Sequence, residues 1–192
     1  MKKNNNIENK HSSIPTLKLM LWIACGSIAM FFTAFTSAYL VQKSSSYWEK
    51  IDLPSGFLLS CGIVFFISAA AHLAKNAIKK EKMKAFKGFI ALTFIAAVSF
   101  IIVQCFAAIE LMDAGNFLLN EQSMAGPWLY IIGGAHALHI ILGLGFILAL
   151  MLFVAFDKNM EQNKLRAELC ATYLHFMGGV WIYLYLFLVI NH

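Results

Sequence analysis

Five stretches of this chain carry no formal charge, and each is long enough to cross a lipid bilayer. A spanning helix needs roughly 20 consecutive, mostly apolar residues. Charged residues cut the sequence into such lengths. Lys18 and Lys43 bracket the first run, Asp52 and Lys75 the second, Lys87 and Glu110 the third, and Glu121 and Asp157 the fourth. The fifth follows Glu168 and continues to His192. Gly126 and Pro127 mark where the fourth helix can begin, since proline suits the first turn of a helix. None of the runs alternates with period two, and an open sheet would leave backbone groups unpaired in hydrocarbon. The expected fold class is all-α: a polytopic membrane protein, a bundle of five transmembrane helices.

Composition points the same way. Hydrophobic residues make up 60% of the 192 and charged residues 13%, against about 45–50% and about 25% in soluble domains. A soluble fold of this size has too little interior for that much apolar surface. Residues 1–16 read as a polar tail rich in Lys and Asn, and 17–192 as one transmembrane domain with short loops. No A-x-A-like cleavage site follows the first run, so it reads as a retained helix, not a signal peptide.

The loops give an orientation. Lys2, Lys3, Lys10 and Lys18 precede the first span. Lys75, Lys79, Lys80, Lys82, Lys84 and Lys87 fall between the second and third, and Lys158, Lys164 and Arg166 between the fourth and fifth. All of these lie on one side, leaving Lys43 and Lys50 on the other. The positive-inside rule places the basic side in the cytoplasm, with the N-terminus inside and the C-terminus outside. Trp48 and Trp128 then fall near the outer boundary, as interface anchors do. No basic patch is interleaved with aromatics, so nucleic acid is not an expected partner.

Polar residues inside the spans are the informative ones. They are His72, Gln104, Glu110, His136, His139 and His175, with Glu168 opening the fifth span. His136 and His139 share a helix face with Ile132 and Gly143. His175 begins a second face with Gly178, Ile182 and Tyr185. Small residues let helices approach closely, so one reading is a histidine–glycine seam hydrogen-bonded across helices. The alternatives are a metal or a b-type haem between His136 and His175. Neither acids nor cysteines gather near the histidines, and HExxH is absent. Cys25, Cys61, Cys105 and Cys170 are far apart with no CxxC, which reads as small buried residues rather than a disulfide framework or zinc site. Glu110, one turn before Asp113, reads as a solvated interfacial carboxylate. No acid lies at a helix centre, which argues against a self-contained proton pump or carrier. His72 beside Lys75, with Arg166 and Glu168, could hold a lipid headgroup or simply reach the interface.

Several runs together resemble one family. Gly134-Ala135-His136-Ala137-Leu138-His139, continued to Gly143, resembles the GFHGLHVxxG signature of subunit III of haem–copper oxidases. Glu168, Tyr173, Leu174, His175 and Phe176, followed by Val180, Trp181, Ile182, Tyr183, Leu184 and Tyr185, resemble ExxxxYWHFVDVVWLFLF of its final helix, with the same spacing from Glu168 to His175. Met30-Phe31-Phe32 with Phe35 and Ser37-Ala38-Tyr39 is similar to EVMFFAGLFSAYF. Gln104 and Glu110 fall where the family has a QxxE-type segment, and Ala71-His72 resembles its AHHS. The matches keep the family's order and cover nearly the whole chain after about Leu17. The chain resembles the five-helix bacterial form, which lacks the first two of seven helices. It departs at three family acids, replaced here by Ile28, Ala107 and Gly178.

The resemblance implies a non-catalytic subunit of a respiratory terminal oxidase of the aa3 or caa3 type in the bacterial inner membrane. It implies packing against subunit I, which carries haem and copper, near subunit II and a small subunit IV. It implies bound phospholipid, a hydrophobic route for O2 and support of sustained proton uptake. No metal, redox centre or catalytic residue is expected in this chain. His136, His139, Gly143, His175 and Gly178 would organise helix interfaces, and His72, Arg166, Glu168 and His175 would meet lipid. The missing acid at Ile28 counts against a direct proton-carrying role. The expected donor is cytochrome c, with quinol as the alternative, and membership of a larger respiratory assembly is possible. The competing readings are a small bis-histidine membrane cytochrome and a carrier or channel.

Overall fold

The computed structural model describes residues 2–44, 53–113, 125–156 and 159–191, with side chains from Thr16 in the first segment and from Gly126 in the third. They form α1 (Lys2–Lys43), α2 (Ser55–Lys79), α3 (Met83–Asp113), α4 (Ala125–Phe156) and α5 (Met160–Asn191). All five are long and apolar enough to span a membrane, α1 over Thr16–Lys43. Trp48, Lys50, Glu121, Asp157, Lys158 and His192 lie outside the described residues.

Charged residues that bound the apolar runs need not end the helices: Lys18, Lys75, Lys87 and Glu110 all lie inside them, whereas α1 does stop at Lys43. α5 starts at Met160, two turns before Glu168, and α3 starts at Met83, a turn before Lys87. Backbone hydrogen bonding continues through interfacial turns whose long side chains reach water. Pro54 precedes α2 in an extended conformation, ψ 138°. Pro127 sits in the first turn of α4, where no intrahelical donor is lost. Pro15, read from the sequence as part of the tail, lies inside the α1 range.

α2 and α3 are joined by a turn at Glu81, whose φ of 59° puts it in the left-handed region. The turn closes as helix C-termini commonly do: Lys82 N–H donates to the Ala77 carbonyl at 3.0 Å. So short a connection makes the two helices antiparallel neighbours, and this is the most extensive pairing in the bundle.

The helices α2, α3, α4 and α5 close a ring, each packing on the next, while α1 lies in the groove between α4 and α5. Over an 18-residue apolar stretch of each span, 44% of the residues are buried in α5 and 17% in α1, which makes α5 central and α1 peripheral. The buried residues of α5 repeat every three to four positions: Ala167, Cys170, Leu174, Met177, Trp181, Leu184 and Leu188. That spacing is one helical stripe. Large apolar side chains such as Phe65, Ile95, Phe106 and Ile190 point outward. An outer face of that kind suits hydrocarbon, which offers no water to drive it inward.

Packing is therefore set by close contact. A Cβ at Gly178 would lie 2.8 Å from Val64 on α2, and one at Gly143 would lie 3.0 Å from the ring of Tyr173 on α5. A Cβ at Gly56 would meet that of Ala107 at 3.0 Å. Gly178→Ala should force α2 and α5 apart and cost about 1–3 kcal/mol, as overpacking does. Adding Val64→Ala should recover part of the loss, giving a double-mutant coupling above about 0.5 kcal/mol. Thermal denaturation of the detergent-solubilised protein checks this, and simple additivity would refute it.

Candidate functional site

The polar residues of the spans collect along α5 and its neighbours. At one level of the bundle His136 of α4 is fully buried. Its ring lies 4.9 Å from that of Trp181 on α5, tilted by 31°. Phe100 of α3 meets it edge-on at 5.9 Å and Phe32 of α1 at 6.0 Å. Neither ring nitrogen of His136 has a hydrogen-bond partner. The imidazole works here as a flat aromatic body that four helices share.

Trp181 is pinned from the other side. Its indole N–H donates to the Ser60 hydroxyl of α2 at 2.9 Å, and that hydroxyl donates to the Phe57 carbonyl at 2.7 Å. Phe57 and Phe100 both meet the indole edge-on, at 5.7 and 5.5 Å. This fixes the indole, and through it the imidazole, without any charge.

One turn along α4, His139 turns its Nδ1 back onto its own helix, donating to the Ala135 carbonyl at 2.7 Å. The carbonyl of His139 accepts the Tyr173 hydroxyl from α5 at 2.9 Å. Tyr173 is also the side chain that Gly143 admits. His175 faces away from α4. Its Nδ1 is hydrogen-bonded to the Ser68 hydroxyl of α2, and its ring lies 6.1 Å from that of His72.

The residues expected to form one seam are thus divided between two. His136, His139 and Gly143 belong to the α4–α5 contact, with α1 and α3 covering the aromatic box. His175 and Gly178 belong to α2–α5. The reason is rotational: spacing along α4 or α5 fixes which residues share a face of that helix, not which neighbouring helix that face meets. His136 and His175 turn to different neighbours and do not oppose one another. Among the described residues no group of three or more His, Cys, Asp or Glu side chains could hold a metal ion.

The remaining expected residues lie at the ends or in the α3–α4 contact. Glu168 pairs with Lys18 of α1 at 3.0 Å. The guanidinium of Arg166 covers the Phe153 ring at 4.1 Å and donates to Asn163 Oδ1 at 3.1 Å. His72 is exposed, and Glu110 is exposed near the end of α3. Gln104 lies against α4, its amide nitrogen buried with no hydrogen-bond partner.

Ser60, Ser68, Tyr173 and Trp181 carry the interhelical hydrogen bonds around the histidines. The sequence marked Tyr173 and Trp181 only through the family signature and passed over the serines. Their signal was available: Ser60 and Ser68 are hydroxyls two turns apart in an otherwise apolar run, and polar groups in spans seek partners across helices. The outcome of substitution should differ between the two histidines. His136→Leu removes no hydrogen bond and should leave the thermal midpoint unchanged or raised, because nothing polar is left unpaired. His175→Leu orphans Ser68 and should cost about 0.6–1.7 kcal/mol, the range of interhelical bonds in membranes. The reverse order of the two midpoints would sink this account.

Comparison with known proteins gives a family. The profile of the family described as Cytochrome c oxidase subunit III matches residues 11–191. The chain is 26% identical to the cytochrome bo(3) ubiquinol oxidase subunit 3 of Buchnera aphidicola, over 99% of this chain and 97% of the relative. It is 21% identical to a probable quinol oxidase subunit 3 of Staphylococcus haemolyticus, over 94% of this chain and 92% of the relative. It is 25% identical to cytochrome c oxidase subunit 3 of Loxodonta africana, over 83% of this chain and 64% of the relative. A five-helix bundle of spanning length and a family match from the first helix to the last agree in one conclusion: the chain belongs to the cytochrome c oxidase subunit III family of the haem–copper oxidases.

Proposed function

We propose that this chain is a non-catalytic subunit of a respiratory terminal oxidase that reduces O2. It sits in the bacterial inner membrane with its N-terminus in the cytoplasm, and it packs against the haem- and copper-bearing subunit I, near subunit II and a small fourth subunit. The observation that carries this reading is the family match over residues 11–191. The internal geometry supports it. Each conspicuous histidine is engaged in helix packing: His136 by rings, His139 by its own helix, His175 by Ser68. The chain's contribution is therefore to assembly, to lipid retention and O2 access, and to sustained proton uptake.

Lipid binding is supported by the shape of the bundle. Among the described residues α1 and α2 both pack on α5 but not on each other. His175 of α5 lies beside His72 of α2, and Glu168 of α5 pairs with Lys18 of α1. Half-buried cations such as Lys75 and Lys18 attract anionic headgroups at the cytoplasmic surface.

The family points to cytochrome c as the electron donor. Quinol has its own support: the two relatives above that align over more than nine-tenths of their length, at 97% and 92%, are both named as quinol oxidase subunits. The purified complex decides between them. O2 consumption driven by reduced cytochrome c and not by ubiquinol upholds the first donor, and the opposite result upholds the second. In either case, a complex stripped of this chain should keep its initial rate and lose activity within fewer turnovers. Loss of the initial rate, with the haem spectrum intact, would contradict the non-catalytic role.

A further inference from the structure

Between α3 and α4 lies a cavity of about 170 Å³. Its wall includes Gln104 and Cys105 of α3, and Tyr130, Gly133 and Gly134 of α4. It begins near Leu111 and Leu129, close to the helix ends that carry Asp113 and Gly126, and reaches inward to Gln104 and Ala137. Along α3 that path covers seven residues, about 10 Å of bilayer depth at 1.5 Å per residue.

The two glycines leave this space open. A Cβ at either Gly133 or Gly134 would find nothing within 4 Å, so neither is there to admit a neighbouring helix, unlike Gly143 and Gly178. Gln104 supplies the polar demand. Its amide nitrogen is buried and unpartnered, and an amide N–H in hydrocarbon must find an acceptor. Tyr130 donates its hydroxyl proton to the Ala108 carbonyl at 3.1 Å, which leaves the phenolic oxygen free to accept. Most of the lining is apolar, so water is held at the polar pair, with a donor on one wall and an acceptor on the other.

We infer that the α3–α4 cavity is a water-filled inlet, running from the Asp113 end of the bundle to the Gln104 amide. Water there bridges Gln104 to Tyr130 and gives the amide its missing partner. Gly133 and Gly134 are retained as the volume the water occupies. The inlet wets one azimuth of α3 at a depth where the next azimuth meets lipid.

Cys105 is a natural probe. It lines the inlet eight residues before Asp113, is exposed as its neighbour Phe106 is, and is one of four free cysteines. Charged methanethiosulfonates react with thiolate, which forms only in contact with water. The control is Phe106, the next residue, 67% exposed on the outer face and not among the cavity lining. Two forms of the full chain are needed, both with Cys25, Cys61 and Cys170 replaced by Ala: one keeps Cys105, the other carries Cys105→Ala with Phe106→Cys. Both are labelled in native membranes that contain the assembled complex. Cys105 should react at least about tenfold faster than the cysteine at 106, as thiolate access to water requires. Gly133→Leu, which fills open space rather than clashing, and Gln104→Leu should each slow Cys105 severalfold. Equal, slow labelling at both positions would mean the cavity is dry and overturn the inference. Equal, fast labelling would mean this depth is generally hydrated and overturn it as well.

Discussion

Helices that already sit in hydrocarbon gain nothing by hiding apolar faces from water, so this bundle rests on close contact and on a few hydrogen bonds, most of which involve α5. Gly178 brings α5 against Val64 of α2 and Gly143 brings α4 against Tyr173. Trp181, His175, Tyr173 and Tyr183 then reach across to Ser60, Ser68, the His139 carbonyl and Thr36. Where a glycine lets the backbones approach, a polar side chain nearby completes the contact. The aromatic box around His136 is the centre of this arrangement, because it joins α1, α3, α4 and α5 at one level.

The fold was legible in the sequence because the bilayer imposes a length, and charge interrupts that length visibly. Helix number and order followed. Helix ends were less legible, since interfacial turns carry charge without unwinding, as at Met160 and Met83. The histidines were identified as residues but not as contacts. Which neighbour a side chain meets depends on helix rotation, and rotation is set by packing around the whole ring. His136 and His175 illustrate the difference: similar chemistry in the sequence, a dry ring stack in one case and a serine hydrogen bond in the other.

The departures from the family pattern also have a physical side. The sequence resemblance sets Ala107 against an acid of the family, and its Cβ faces Gly56 at a tight contact of α2 and α3. Gly178 stands at another such position, where even a methyl group would press on Val64. Ile28 of α1 packs against the core as an apolar residue. In this chain two of the three positions have become tight helix contacts and the third an ordinary hydrophobic one. At the two tight contacts a carboxylate has no room in this packing.

The position of α1 bears on the order in which the molecule is made. α1 is synthesised before α5, yet three of its polar contacts are with α5. Lys18 pairs with Glu168, Thr36 bonds Tyr183, and the Tyr39 hydroxyl donates to the Asn191 carbonyl. The ring of α2 to α5 closes without α1. The earlier span must therefore wait in the bilayer, apolar enough to stay there, until α5 is threaded, and only then can it form these bonds. Attachment of α1 is in effect a record that α5 has been inserted.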